Sequence, residues 1–306
     1  MDAGLNAFYS GGDMIAAMQD AYTRETEPMV GLLMDEEWSL IHERFGLLLE
    51  VGYEYKDFAK TADMGWLPIT TQFEGRVPVL NDKGRASTRY DFAFKTDGLV
   101  LIDGQLWVLE NKAWKTIDAV SIRMLQLDEQ CSMYLWGVNQ MIDRGTAPAV
   151  LSRAVAEYGK PVGVLYNIIR KATPKIPPRL KSGKTSADKR IDTTYPVFLK
   201  TLKERGEDPE EYAEVLDALR YKGDTFHYRE AVYRNADELQ EIGRRIHEGT
   251  RIIAEGHTLK NPDRSCSWEC PFFSLCIEWD DDLAASQFYV REKRHQEYLN
   301  EEAEAA

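Results

Sequence analysis

Between Thr96 and Lys112 the chain reads TDGLVLIDGQLWVLENK, two β-rich runs separated by Asp103-Gly104, and this stretch constrains the fold more than any other. Asp-Gly between apolar runs signals a hairpin with a two-residue turn. With that turn fixed, Ile102 pairs with Gln105, and counting outward sets Asp97 opposite Glu110. Directly opposed side chains lie about 5 Å apart, so two carboxylates there repel each other unless something neutralises them. A divalent cation would do so. Strand alternation puts Lys112 on the face of Glu110 and turns Leu109 and Asn111 the other way. An isolated E-x-K pair is ordinarily a solvated ion pair on an edge strand. The Asp97 partner, inside otherwise apolar strands where uncompensated charge is costly, argues for a site instead.

Two carboxylates can hold Mg²⁺ or Mn²⁺ by hard oxygen ligands, and such a metal polarises a phosphate and acidifies a water. A lysine beside it would position that nucleophile or stabilise the developing charge. Asp97, Glu110 and Lys112 are therefore the candidate catalytic residues. Downstream, Gln126, Gln130 and Tyr134 recur at i, i+4 and i+8 on a predicted helix from Ala119 to about Ile142. That stripe either orients the attacking water or a phosphate, or is simply the wet side of the helix.

Around the hairpin the pattern is mixed. A short helix is expected at Met14 to Tyr22. A longer one runs from Asp35 to about Lys60, where Trp38, Ile41, Phe45, Leu48 and Leu49 recur at spacings of three and four. LPITTQF, RVPVL, RYDFAF, GLVLI and LWVLE then read as a meander of short strands, and GKPVGVLYNII as a buried strand. Helical spacing returns over Glu207 to Leu219 and Glu230 to about Ile253. We expect a single domain: helices over 1–60, a catalytic core over 66–170, a basic loop over 170–192, and a helical C-terminal part over 193–306 carrying a cysteine motif at 266–276. The 306 residues suffice for a sizeable core, and no apolar run approaches the roughly 20 residues of a membrane span. The N-terminal residues lack the pattern of a secretory signal, so a cytoplasmic location is expected.

A net charge of −13 argues against a polyanionic partner on average. The charge is uneven, however. Between Arg170 and Asp192 eight basic residues, among them Lys181, Lys184, Lys189 and Arg190, stand against Asp188 and Asp192, a local +6 that leaves −19 for the remainder. A localised DNA contact on an acidic body would look like this, as would a solvated surface loop. Of the four cysteines, Cys266, Cys270 and Cys276 fall within eleven residues, a clustering that asks for a metal. A [4Fe–4S] centre would need a fourth ligand, and Cys131 is either that ligand or a buried free thiol. Zinc, or no metal, are the alternatives.

Asp97, the hairpin, Glu110-Asn111-Lys112 and Gln130-x-x-x-Tyr134, followed by Cys266-Ser-Trp-Glu-Cys270-Pro-Phe-Phe-Ser-Leu-Cys276, resemble the PD-(D/E)xK nuclease superfamily, in particular its RecB-like branch with CRISPR-associated iron–sulfur exonucleases and phage relatives. The resemblance implies an α/β (α+β) fold, a small mixed β-sheet flanked by helices in a restriction-endonuclease-like core. It also implies metal-dependent DNA exonuclease activity in recombination, repair or replication, on single strands or DNA ends, with a helicase or recombinase as a possible partner. In that branch an early helix supplies a histidine ligand. The matching position here is Asp2, which would replace the imidazole with a carboxylate that Mg²⁺ or Mn²⁺ accepts. A catalytically weak or inactive DNA-binding accessory protein of the same fold is the alternative.

Overall fold

In the computed structural model, which describes residues 1–220, 226–256, 266, 270 and 272–278, the Asp103-Gly104 turn forms as expected. Both residues have positive φ, 49° and 76°, as a two-residue turn matched to the strand twist requires. The hairpin joins β2 (Ala86–Ile102) to β3 (Gln105–Trp114), and its register runs from Ile102↔Gln105 to Gly98↔Leu109.

The chain begins with α1 (Asp2–Tyr9), α2 (Met14–Thr26) and α3 (Asp35–Ala62), followed by β1 (Leu67–Leu80). After β3 come α4 (Ala119–Met124), α5 (Glu129–Arg144), α6 (Ala149–Tyr158) and β4 (Gly163–Arg170). Then follow α7 (Tyr195–Arg205), α8 (Ala213–Arg220), β5 (His227–Tyr233), α9 (Ala236–Ala254) and a short α10 (Phe273–Glu278). The sheet has order β1-β2-β3-β4-β5, with β3 and β4 parallel and the other neighbours antiparallel. This is the mixed α/β architecture expected. Met1–Thr250 form one compact unit and Arg251–Ala306 a second.

Alternation along the strands assigns the two sheet faces. Leu99, Val108, Val164, Tyr166 and Ile168 pack with Leu135, Trp136 and Val138 of α5 and Ile242 and Ile246 of α9. On the other face Val100, Trp107, Leu109 and Leu165 meet Tyr9 and Trp66, while α1, α2 and α3 bury Leu5, Met14, Met18, Val51 and Tyr55 together with Ile169. Glu110 and Lys112 follow Val108 in parity and face α5. Asn111 follows Leu109 and faces α1.

Several expectations are corrected. The runs LPITTQF and RVPVL are one strand, β1, and RYDFAF and GLVLI are one strand, β2. Gly75, between the first two runs, and Gly98, at the start of GLVLI, mark close approach. A Cβ on Gly98 would come within 2.6 Å of the Thr70 carbonyl oxygen, and one on Gly75 would strike the Phe94 ring and Met141. The helix expected over Ala119 to Ile142 is broken by a 3₁₀ turn at Leu125–Leu127, after which Asp128 caps α5. Gln126 therefore lies off the helix that carries Gln130 and Tyr134. The helix expected from Glu230 starts only at Ala236, because His227–Tyr233 pair with β4 as an edge strand. Helix α6 lies within the expected core, where the sequence pattern gives no helix, and α7 falls within the helical part expected over 193–306. No helix among the described residues is long and apolar enough to cross a membrane.

Candidate active site

The candidate site lies where the β2–β3 ladder stops. Beyond the Gly98↔Leu109 pair, the Asp97 carboxylate replaces the next rung: its Oδ2 accepts the Asn111 backbone N–H at 2.7 Å. On the β1 side, Gln72 lies between the pairs Thr71↔Gly98 and Phe73↔Thr96 and so faces Asp97. Gln72 has φ of 48°, a left-handed backbone that a long side chain adopts only under constraint.

Glu110 and Lys112 share the face predicted for them. Lys112 Nζ sits 2.9 Å from Glu110 Oε1 and 3.5 Å from Asp128 Oδ2. Burial, reinforced by the neighbouring Asp97 charge, pushes the Glu110 carboxyl up to about 7 despite the opposing pull of Lys112. Burial also raises Asp97, with Asp2 adding to the rise and Asn111 opposing it. Burial disfavours the Lys112 ammonium, but Cys131, Glu110 and Asp128 outweigh it and hold the amine above its ordinary value. Tyr134 faces this group: burial and then the Glu110 charge raise its hydroxyl. Gln130 Nε2 donates to Tyr134 Oη at 2.7 Å, so the two act as one unit above the acidic strands.

Asp2 reaches the site from the opposite face of the sheet. It begins α1, whose Leu5 is buried against α2, and it lines a small cavity with Asn6, Gln72, Asp97 and Asn111. Asp2 and Asn6 are one helical turn apart and point the same way. Asn6 Oδ1 is buried with no hydrogen-bond partner, an orphaned acceptor beside two carboxylates. A hard cation fits that donor set. The oxygens of Asp2, Asp97 and Glu110 do not all come within 4.8 Å of one another; Asp82, His247 and Glu248 are the one such trio among the described residues.

Sequence reasoning missed Asn6, Asp128 and a buried polar chain behind Asn111. Asn111 Oδ1 accepts from Asn167 Nδ2 at 2.6 Å, and Asn167 Oδ1 accepts from Arg229. Arg229 is paired with Asp63 at 2.8 Å and stacked over Phe58 and Trp66. Only the helix-cap signal of Asp128 was available locally; the other contacts join elements far apart in sequence.

Cys131 is fully buried, and its Sγ lies 3.5 Å from Asp128 Oδ2. Burial first, then the Glu110 charge, raises its thiol and keeps it protonated, as suits a buried free thiol. Cys266, Cys270 and Cys276 are partly exposed and belong to the second unit. The basic segment 171–194 is irregular, as expected, but three of its cations are engaged. Lys184 pairs with Glu211 at 2.7 Å, Arg190 with Asp188 at 2.8 Å, and Lys189 with Glu214. Lys181 is exposed in the same segment.

No protein-family model matches the chain, and no curated protein matches its sequence.

Proposed function

We propose that this chain is a metal-dependent nuclease of the PD-(D/E)xK type that hydrolyses phosphodiester bonds in DNA, with Mg²⁺ or Mn²⁺ as cofactor. One observation carries the reading: Asp97, Glu110 and Lys112 meet at the open end of the β2–β3 ladder, with Asp2 and the orphaned Asn6 oxygen closing the site from α1. Asp97 and Asp2, with Asn6, would hold the cation, and Glu110 would join them once its proton is lost. A bound divalent ion supplies Lewis-acid polarisation of a phosphate and an acidified water.

The chain's own residues do the rest. Lys112, held charged by the carboxylates around it, keeps a positive group where charge develops on the phosphate. Asn111 fixes the Asp97 carboxylate through its backbone N–H, and the Asn167–Arg229 chain fixes the Asn111 side chain in turn. Gln130 and Tyr134 present a paired amide and hydroxyl on the same face, suited to orienting a water or a phosphate oxygen. The basic segment is proposed as the DNA contact, through Lys181, Lys184, Lys189 and Arg190. Cys266, Cys270 and Cys276 are proposed as ligands of an iron–sulfur cluster, which would make anaerobically purified protein brown.

Degradation of labelled single- and double-stranded DNA in Mn²⁺ tests the proposal. Wild type should degrade DNA, and Glu110→Gln and Lys112→Ala should each lose roughly 10²-fold or more in rate while melting as folded proteins. A wild-type rate in Lys112→Ala would remove its assignment. A second reading, a non-catalytic DNA-binding accessory protein, draws on the spread of the three carboxylates beyond 4.8 Å. It would be favoured by DNA binding without degradation.

A further inference from the structure

The trio Asp82, His247 and Glu248 lies apart from the proposed nuclease site and plays no part in it. Asp82 belongs to the turn between β1 and β2. There Asn81 Oδ1 accepts the backbone N–H groups of Lys83 and Arg85, both at 3.0 Å, and so holds the turn in one shape. His247 and Glu248 are consecutive on α9. Neighbouring helix residues point about 100° apart, so their convergence depends on the turn reaching over the helix between them.

His247 Nδ1 is shut off from solvent, makes no hydrogen bond, and lies 3.4 Å from Asp82 Oδ1. A buried nitrogen that makes no hydrogen bond is costly. Two ligands of a tetrahedral Zn²⁺, each about 2.0–2.1 Å from the metal, stand about 3.3–3.4 Å apart. The two atoms therefore have the separation of neighbours on one ion without the geometry of a hydrogen bond. Arg244, one turn earlier on α9, engages Glu241 with both arms of its fork at 2.8 and 2.6 Å, and the Glu248 and Asp82 charges also act on it. An imidazole with two carboxylates is a mixed nitrogen and oxygen set that suits Zn²⁺ or Mn²⁺ better than Mg²⁺ or Ca²⁺.

We propose that Asp82, His247 and Glu248 form a divalent transition-metal site, best matched to Zn²⁺, that clamps the β1–β2 turn to α9. Asp82 also lines the wall of a cavity of about 660 Å³ together with Trp136, Asn139 and Arg244, so the clamp fixes one side of that cavity.

Calorimetric titration of the chelator-stripped full chain with Zn²⁺ tests this, using wild type, His247→Ala, Asp82→Asn and Glu110→Gln. Wild type and Glu110→Gln should share one binding equivalent that His247→Ala and Asp82→Asn lack. Binding at the cysteines should be the same in all four. Zn²⁺ should also raise the melting temperature of wild type more than that of the two site variants, since an ion that binds only the folded state stabilises it by mass action. Asp82 stands on an exposed turn, so Asp82→Asn decides the question even if His247→Ala does not fold. Equal numbers of equivalents and equal affinities in wild type, His247→Ala and Asp82→Asn would overturn the proposal. Loss of the equivalent in Glu110→Gln alone would place the ion at the nuclease site instead.

Discussion

At Glu110, burial and the Asp97 carboxylate raise the proton affinity to a pKa of about 7, so the metal-free fold prefers the neutral acid. For an acid whose folded value is raised, the stabilising contribution is full below its unfolded value, about 4.3, and is lost as pH rises to about 7. At 1.36 kcal/mol for each unit, metal-free wild type should lose about 3 kcal/mol of stability over that window. Glu110→Gln, which cannot ionise, should lose that much less; urea denaturation at pH 4.5 and pH 7.5 measures the difference, and parallel profiles would refute it. Asp97, Glu110 and Lys112 were legible in the sequence because a turn signal and strand alternation are local rules. Asn6, Asn167 and Arg229 were not, because each gains its partner from an element tens to hundreds of residues away.

Among the elements, the strands were misjudged where glycine served packing. Gly98 lets β1 and β2 approach until its α-carbon faces the Thr70 carbonyl, and a methyl group would come within 2.6 Å of that oxygen. Gly98→Ala should therefore cost about 1–3 kcal/mol, and the adjoining Asp97 should shift, weakening Mn²⁺ binding as read by calorimetry. Unchanged stability would mean that the two strands part freely at this point. Helix α5 shows the converse. Its apolar period continues from the preceding residues, yet Asp128 accepts the Cys131 N–H and starts a new helix, placing a carboxylate beside Lys112. Periodicity alone cannot register such a break, whereas the sharp Asp-Gly hairpin was readable because its turn chemistry has few alternatives.

For the molecule as a whole, the charge asymmetry was readable but its internal compensation was not, since the acids that meet Lys184 and Lys189 come from Glu211 and Glu214, more than twenty residues on. Exposed pairs of this kind are screened by solvent and contribute little to stability, yet they occupy the amines that would meet phosphate. Replacing Glu211 and Glu214 together by glutamine should tighten DNA binding and steepen its salt dependence by up to about two units of slope, if each released lysine meets one phosphate. An unaltered slope, by fluorescence anisotropy across a salt series, would remove the segment from the DNA contact. The position of the candidate site has a consequence on the same scale. Asp2 and Asn6 reach it from the helical layer on one side of the sheet, while Glu110 and Lys112 face the layer on the other, so neither layer holds a usable fraction of it. Any fragment, partly melted state or shear that separates the two layers should be silent rather than slow, and catalysis, where present, would report the alignment of the entire fold.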